Sequence, residues 1–176
     1  MGLFDFFHRE ELLQLQKLVL FDSPDRLIMS RKELTALAKQ VAQRDYEIMQ
    51  DCSRILQQTK KPDVFFTRLD LFYEKSSKLT KLAPYIDYSG VSPYTVFEAL
   101  KKDYQEIIHL FLVRYFADVY DHARDLKTDK AKLNRYQKFY DSLQPYYDRM
   151  DEGNKDFVET KYRVYTEKLI QTGGTK

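Results

Sequence analysis

Three histidines and one cysteine limit the acid–base, metal and nucleophilic chemistry this chain can carry. Glu106 and His109 stand three residues apart, the spacing by which diiron carboxylate bundles converge two side chains of one helix on a metal. Such a centre needs a second pair and two further acids. The sequence holds a single pair, so the expectation is a solvated or satisfied helix face and no metal. Arg114, Asp118 and His122 follow at intervals of four, which stacks them on one helix face. Ile107, Ile108, Phe111, Leu112, Tyr115 and Val119 crowd the same turns, so part of that stripe must lie at the core boundary. A catalytic group is one use of such a stripe. A buried ion pair that sets helix register is the other, and the sequence favours it.

Asp45 sharpens the point, because it interrupts an otherwise apolar seam. With Arg68, Arg114, Asp118 and His122 it completes the set expected to be buried and polar. A buried carboxylate needs a partner, and the expected one is an arginine: Arg114, Arg68 or Arg135. Nucleophilic catalysis finds no support. Cys52 falls on the same seam, where a thiol behaves as a small hydrophobe, and no histidine is near it in sequence. No glycine-rich phosphate loop, serine elbow, paired cysteines or His-Glu-x-x-His motif occurs. The expectation is a non-enzyme with no catalytic residue and no cofactor.

The elements that must position these residues are helical. The 176 residues include only 5 Gly and 5 Pro against 14 Tyr and 12 Phe, too few turn formers for a sandwich or a nucleotide-binding α/β fold. The fold class expected is all-α, a bundle of five or six helices with long heptad-patterned members. Ser30 and Glu33 form a capping box for a first long helix. Its seam reads Leu34, Ala38, Val41, Asp45, Ile48, Cys52, Ile55 and Thr59. Lys60-Lys61-Pro62-Asp63 breaks the pattern, with Asp63 as the expected cap. Phe65, Leu69, Phe72, Ser76, Leu79 and Ala83 then repeat the rhythm until Pro84. Residues 84–92 read as a loop, and Ser92-Pro93 restarts a helix running to about Lys127. Leu126 to Asp129 is either a loop or a charged stretch within one rod. Leu133, Tyr136, Tyr140, Leu143, Tyr147 and Met150 form another seam that Pro145 kinks or divides. Asp151 to Asn154 reads as a turn, and Phe157 to Ile170 as the last helix. The expected organisation is an apolar helix or docking segment at 1–22, a bundle domain at 23–171 and a tail at 172–176.

The segments Thr59-Lys60-Lys61-Pro62-Asp63-Val64-Phe65-Phe66-Thr67-Arg68-Leu69-Asp70-Leu71 and Leu126-Lys127-Thr128-Asp129-Lys130, with Asn134-Arg135 after the latter, resemble segments of an uncharacterised all-helical protein family of low-GC Gram-positive bacteria. The resemblance spans about residues 28 to 165. Lys61 stands where that pattern has Asn, and Leu69 where it has Tyr. It implies an all-helical fold and a bacterial source and attaches no activity.

The remaining signals concern surfaces. Basic and acidic residues balance at 29 and 27, so any anion-binding face must come from local segregation. Arg124, Lys127, Lys130, Lys132, Arg135 and Lys138 supply one, and Tyr136 and Tyr140 interleave with them. A nucleic-acid-binding accessory protein of a mobile element or phage is therefore the alternative function. At the other end, Leu3, Phe4, Phe6, Phe7, Leu12, Leu15 and Val19 make residues 1–21 strongly apolar. A peripheral membrane anchor lacks an adequate basic face there, since only Arg9 and Lys17 oppose Asp5, Glu10 and Glu11. Docking on a protein partner or on a second copy, as a homodimer, fits better. No apolar run is long enough to span a bilayer, and the charged residues from Asp5 to Glu11 are unlike a secretory signal. With a lone cysteine, these point to a cytoplasmic interaction or scaffolding protein.

Overall fold

The computed structural model describes residues 13–17, 31–82 and 104–173, and among them the fold is all-α with no strand. The long elements are α1 (Arg31–Gln58), α2 (Pro62–Leu82), α3 (Tyr104–Arg124), α4 (Asp129–Leu143) and α5 (Glu152–Gly173), with a 3-10 turn at Gln144–Arg149. The Ser30 cap, Ala83, the loop at 84–92 and the restart at Ser92-Pro93 lie outside the described residues. So do Leu3, Phe4, Phe6, Phe7, Leu12 and Val19 of the apolar N-terminal segment. No described helix is long and apolar enough to cross a membrane.

α1 buries Leu34, Ala38, Ala42, Asp45, Met49, Cys52 and Leu56. The heptad reading placed Val41, Ile48 and Ile55 inside instead, and these are only half-buried. The buried face keeps a seven-residue repeat but takes Ala42, Met49 and Leu56, each one residue later, because steps of three and four are nearly equivalent on a helix of 3.6 residues per turn. The helix stops where Lys61 precedes proline, a position that disfavours helical backbone. Thr59 Oγ1 accepts from the Lys61 backbone N–H at 3.2 Å across this turn. Pro62 then opens α2 at the first helical position, where its missing N–H costs nothing. Asp63 therefore sits inside the first turn, favourable to the helix dipole, and is not the cap the sequence suggested.

α3 and α4 are two helices. Thr128 Oγ1 accepts from Ala131 N at 3.2 Å and caps α4. α4 gives way after Leu143 to the 3-10 turn that contains Pro145. Asp151 Oδ1 accepts from Asn154 N at 2.8 Å, so the expected turn at 151–154 is the capped start of α5, which begins before Phe157.

The chain divides into two compact units: Met1–Arg54 with Arg68–Leu100, and Ile55–Thr67 with Lys101–Lys176. The first unit buries the α1 face together with Leu69, Phe72, Leu79 and Leu82 of α2 and Leu15 of the helical segment 13–17. The second is built on aromatic rings. Phe65 stacks on Phe111 with centroids 3.9 Å apart, and Phe66 stacks on Tyr146 at 4.3 Å. Phe116 meets Phe139, Phe157 and Tyr165, while Tyr140 stacks on Tyr162 at 4.6 Å. Rings at these separations contribute beyond area burial, which gives many of the Phe and Tyr a structural role.

Candidate functional site

Asp45 is buried, its side chain 5% exposed, as the break in the seam implied. Its partners are lysines, a correction to the arginines expected. Lys78 Nζ lies 3.1 Å from Oδ2 in an ion-pair contact outside hydrogen-bond alignment, and Lys75 Nζ lies 3.8 Å from Oδ1. Both lysines come from α2, which returns along α1 within the first unit. Arg68, half-buried in the same unit, sits against Cys52. Burial pushes the Cys52 thiol up, and the Arg68 contact only partly offsets it. The result is an inert core thiol.

Arg114 and Asp118 of the stripe act as a clamp in the second unit. Arg114 Nη2 donates to the Leu56 carbonyl at 2.8 Å, and Nη1 donates to the Gln57 carbonyl. Those carbonyls belong to the last turn of α1 and have no intrahelical donor left, so a cation there satisfies them and complements the dipole. Asp118 pairs with Lys60 in the turn that follows. His122 Nδ1 donates to the Asp118 carbonyl at 2.7 Å, with its ring exposed. Arg114 and His122 are therefore not buried as expected, and Arg114 and Asp118 hold the α1–α2 turn while His122 contacts only Asp118.

His109 is also accounted for. Asn154 is 3% exposed, and its Nδ2 donates to the Gln105 carbonyl and to Gln105 Oε1 at 3.1 and 3.0 Å. Its Oδ1 is therefore the acceptor that faces His109 Nδ1 at 3.1 Å, which makes Nδ1 the protonated nitrogen. Among the described residues no cluster of metal-ligating side chains forms.

The basic stretch is dispersed. Arg124 contacts Asp121 and Asp125 at 4.0 and 3.8 Å, and Lys132 contacts Asp129 at 3.8 Å. Lys127, Lys130 and Lys138 are exposed. Tyr136 is buried and Tyr140 is stacked on Tyr162, so neither ring is presented to a base. Arg135 and Lys138 differ from the rest in lining a groove of about 620 Å³ between the end of α3 and α4.

Of the N-terminal docking residues only Leu15 is described, and at 2% exposure it packs inside its unit. Among the described residues the exposed large apolar side chains are Ile170 on α5 and, grouped on α3, Leu110 at 44%, Val113 at 43% and Tyr120 at 40% exposure, with Ala117 exposed between them. Sequence reading passed over this stripe because Ile108, Phe111, Leu112, Phe116 and Val119 already supply the inward face. The signal was there: α3 carries more large apolar residues than one core-facing stripe can use. Glu106 and Arg124, both exposed, bracket the stripe, and all six positions follow a 4-3-4-3-4 spacing. Compared with models of protein families, with curated proteins and with solved structures, the chain matches none.

Proposed function

We propose that this protein is a non-enzymatic interaction module that acts by helix-surface docking, with a second copy of the chain laid antiparallel along α3. The observation that carries the reading is the exposed series Glu106, Leu110, Val113, Ala117, Tyr120 and Arg124. Its spacing is the same in both directions, and its ends carry opposite charge. A two-fold axis crossing the exposed face of α3 at the level of residue 115 sets Leu110 against Tyr120 of the second copy and Val113 against Ala117. The same operation sets Glu106 against Arg124 at both ends. Self-complementarity of this kind is what an isologous contact requires. Large beside small and acid beside base are the pairings that helix seams use.

A single helix pair lies at the small end of specific interfaces, so the dimer is reversible, with a dissociation constant of about micromolar or weaker. Sedimentation equilibrium of the full chain tests it. The expected result is a mass that rises from monomer to dimer with concentration. Val113→Glu, at an exposed position, abolishes the rise. Glu106→Arg weakens it, and adding Arg124→Glu restores it. A monomer at every concentration up to about 1 mM overturns the reading, as does a dimer that Val113→Glu leaves intact.

A further inference from the structure

We infer that the groove between the end of α3 and α4 binds the phosphate group of a small organic phosphate, with Arg135 and Lys138 as its cationic contacts. Arg135 is half-buried, its Nε is shielded from solvent, and it makes no hydrogen bond or ion pair with any described residue. The shielded Nε is a charged donor without an acceptor, while the two terminal nitrogens of the fork reach solvent and are open to a phosphate or carboxylate. Lys138, one turn further along α4, lines the same groove and is likewise without an ion pair. The single acid in the lining, Asp141, accepts from Gln137 Nε2 at 2.8 Å and keeps its charge, so Arg135 and Lys138 leave the lining with one positive charge in excess. A guanidinium fork beside an ammonium is a donor set that a phosphate monoester can take.

The rest of the lining suits a compact organic body. Leu126 and Ala131 give apolar wall, Asn134 gives amide donors and acceptors, and His122 keeps Nε2 available because Nδ1 is committed to Asp118. At about 620 Å³ the groove falls within the range of small-molecule sites. The occupant is a single small anion and not a nucleic-acid strand. A strand needs a track of unpaired cations and presented rings, whereas Arg124 and Lys132 stand beside acids and Tyr136 is buried. This inference uses none of the α3 docking stripe and stands or falls apart from it.

Titration of the full chain with phenyl phosphate, benzoate, inorganic phosphate and a short single-stranded oligonucleotide, followed by backbone amide NMR, tests the assignment. Saturable shifts confined to the end of α3 and to α4 are expected, with phenyl phosphate binding more tightly than inorganic phosphate or benzoate. Arg135→Gln weakens phenyl phosphate by about tenfold or more. Lys138→Gln, at an exposed position that does not bear on folding, weakens it several-fold, and Lys130→Gln has no effect. Shifts that fail to saturate by about 10 mM overturn the site, as does binding indifferent to both groove variants. Tighter binding of benzoate overturns the phosphate assignment, and a preference for the oligonucleotide with a steep salt dependence overturns the small-anion reading.

Discussion

Lys78 Nζ stands 3.1 Å from Oδ2 of Asp45, so the one carboxylate set into the apolar face of α1 is neutralised by a lysine of α2, with Lys75 contributing from 3.8 Å. The two lysine side chains are 13% and 18% exposed. Their aliphatic stems lie against the core while their ammonium groups reach the acid.

Asp45→Asn leaves those two cations without their counter-charge. Breaking a buried pair from one side costs about 3 kcal/mol, which for a chain of this size lowers the melting temperature by roughly 6–12 °C. Thermal unfolding followed by circular dichroism checks it, and an unchanged midpoint would remove Asp45 from the stability of the first unit. Replacing Asp45, Lys75 and Lys78 together by Leu, Met and Met recovers most of the loss, because the desolvation cost of the ions disappears with them.

Arg114→Ala strips the last carbonyls of α1 of their donors. The expected loss is about 1–2 kcal/mol, measured by urea unfolding. Lys60→Ala costs less, under about 1 kcal/mol, since Lys60 is largely exposed even though its partner Asp118 is only 14% exposed. Equal effects from the two variants would contradict the clamp.

Neighbouring positions on α3 should respond in opposite ways. Phe111→Ala removes a fully buried ring stacked on Phe65 and costs about 3–5 kcal/mol. Leu110→Ala removes an exposed side chain and leaves the stability of the monomer within about 0.5 kcal/mol. A large loss from Leu110→Ala at concentrations where the chain is monomeric would show that Leu110 packs within its own chain.

Stability should decline at alkaline pH. Burial pushes the Cys52 thiol and the Tyr136 and Tyr147 hydroxyls above their ordinary values. The Tyr147 hydroxyl is buried without an aligned hydrogen bond, and the nearby Tyr140 and Glu159 push in the same direction. These groups stay protonated in the fold while the unfolded chain ionises from about pH 9 upward. The unfolded state therefore binds fewer protons there. The stabilisation is complete below that point and is lost as pH climbs through the raised values. Urea midpoints that stay flat from pH 8 to 11 would contradict it. Cys52 should also react with thiol reagents only as fast as the chain opens.

Much of the fold was legible from spacing alone. Few turn residues and runs of apolar side chains at three- and four-residue intervals specify helices, because local backbone geometry converts that rhythm into a continuous face. The breaks at Lys61-Pro62 and Pro145 were legible for the same reason, since proline chemistry acts within a few residues, whereas residues 126–129 were open to a loop or a continuous rod until the Thr128 cap decided it. The displaced α1 seam was not, because three-residue and four-residue steps are nearly equivalent until a partner helix selects between Val41 and Ala42.

The candidate sites divide along the same line. That Asp45 had to be buried and paired followed from its place on an apolar seam. Which cations met it depended on how α2 returned along α1, and only packing decided for Lys75 and Lys78. The stripe of Arg114, Asp118 and His122 was visible as a stripe, while its work on the Leu56 and Gln57 carbonyls depended on a turn more than fifty residues away in sequence. Likewise, six cations could be read from Arg124 to Lys138, but the contacts of Arg124 and Lys132 with nearby acids and the lack of any ion pair at Arg135 among the described residues are matters of side-chain placement. By itself the sequence determined the described helices and the general side of each that turns inward, though not the exact α1 seam, because those depend on neighbours a turn away. Tertiary structure alone decided which charges are satisfied and which apolar residues of α3 remain outside, because both depend on what long-range packing brings against them.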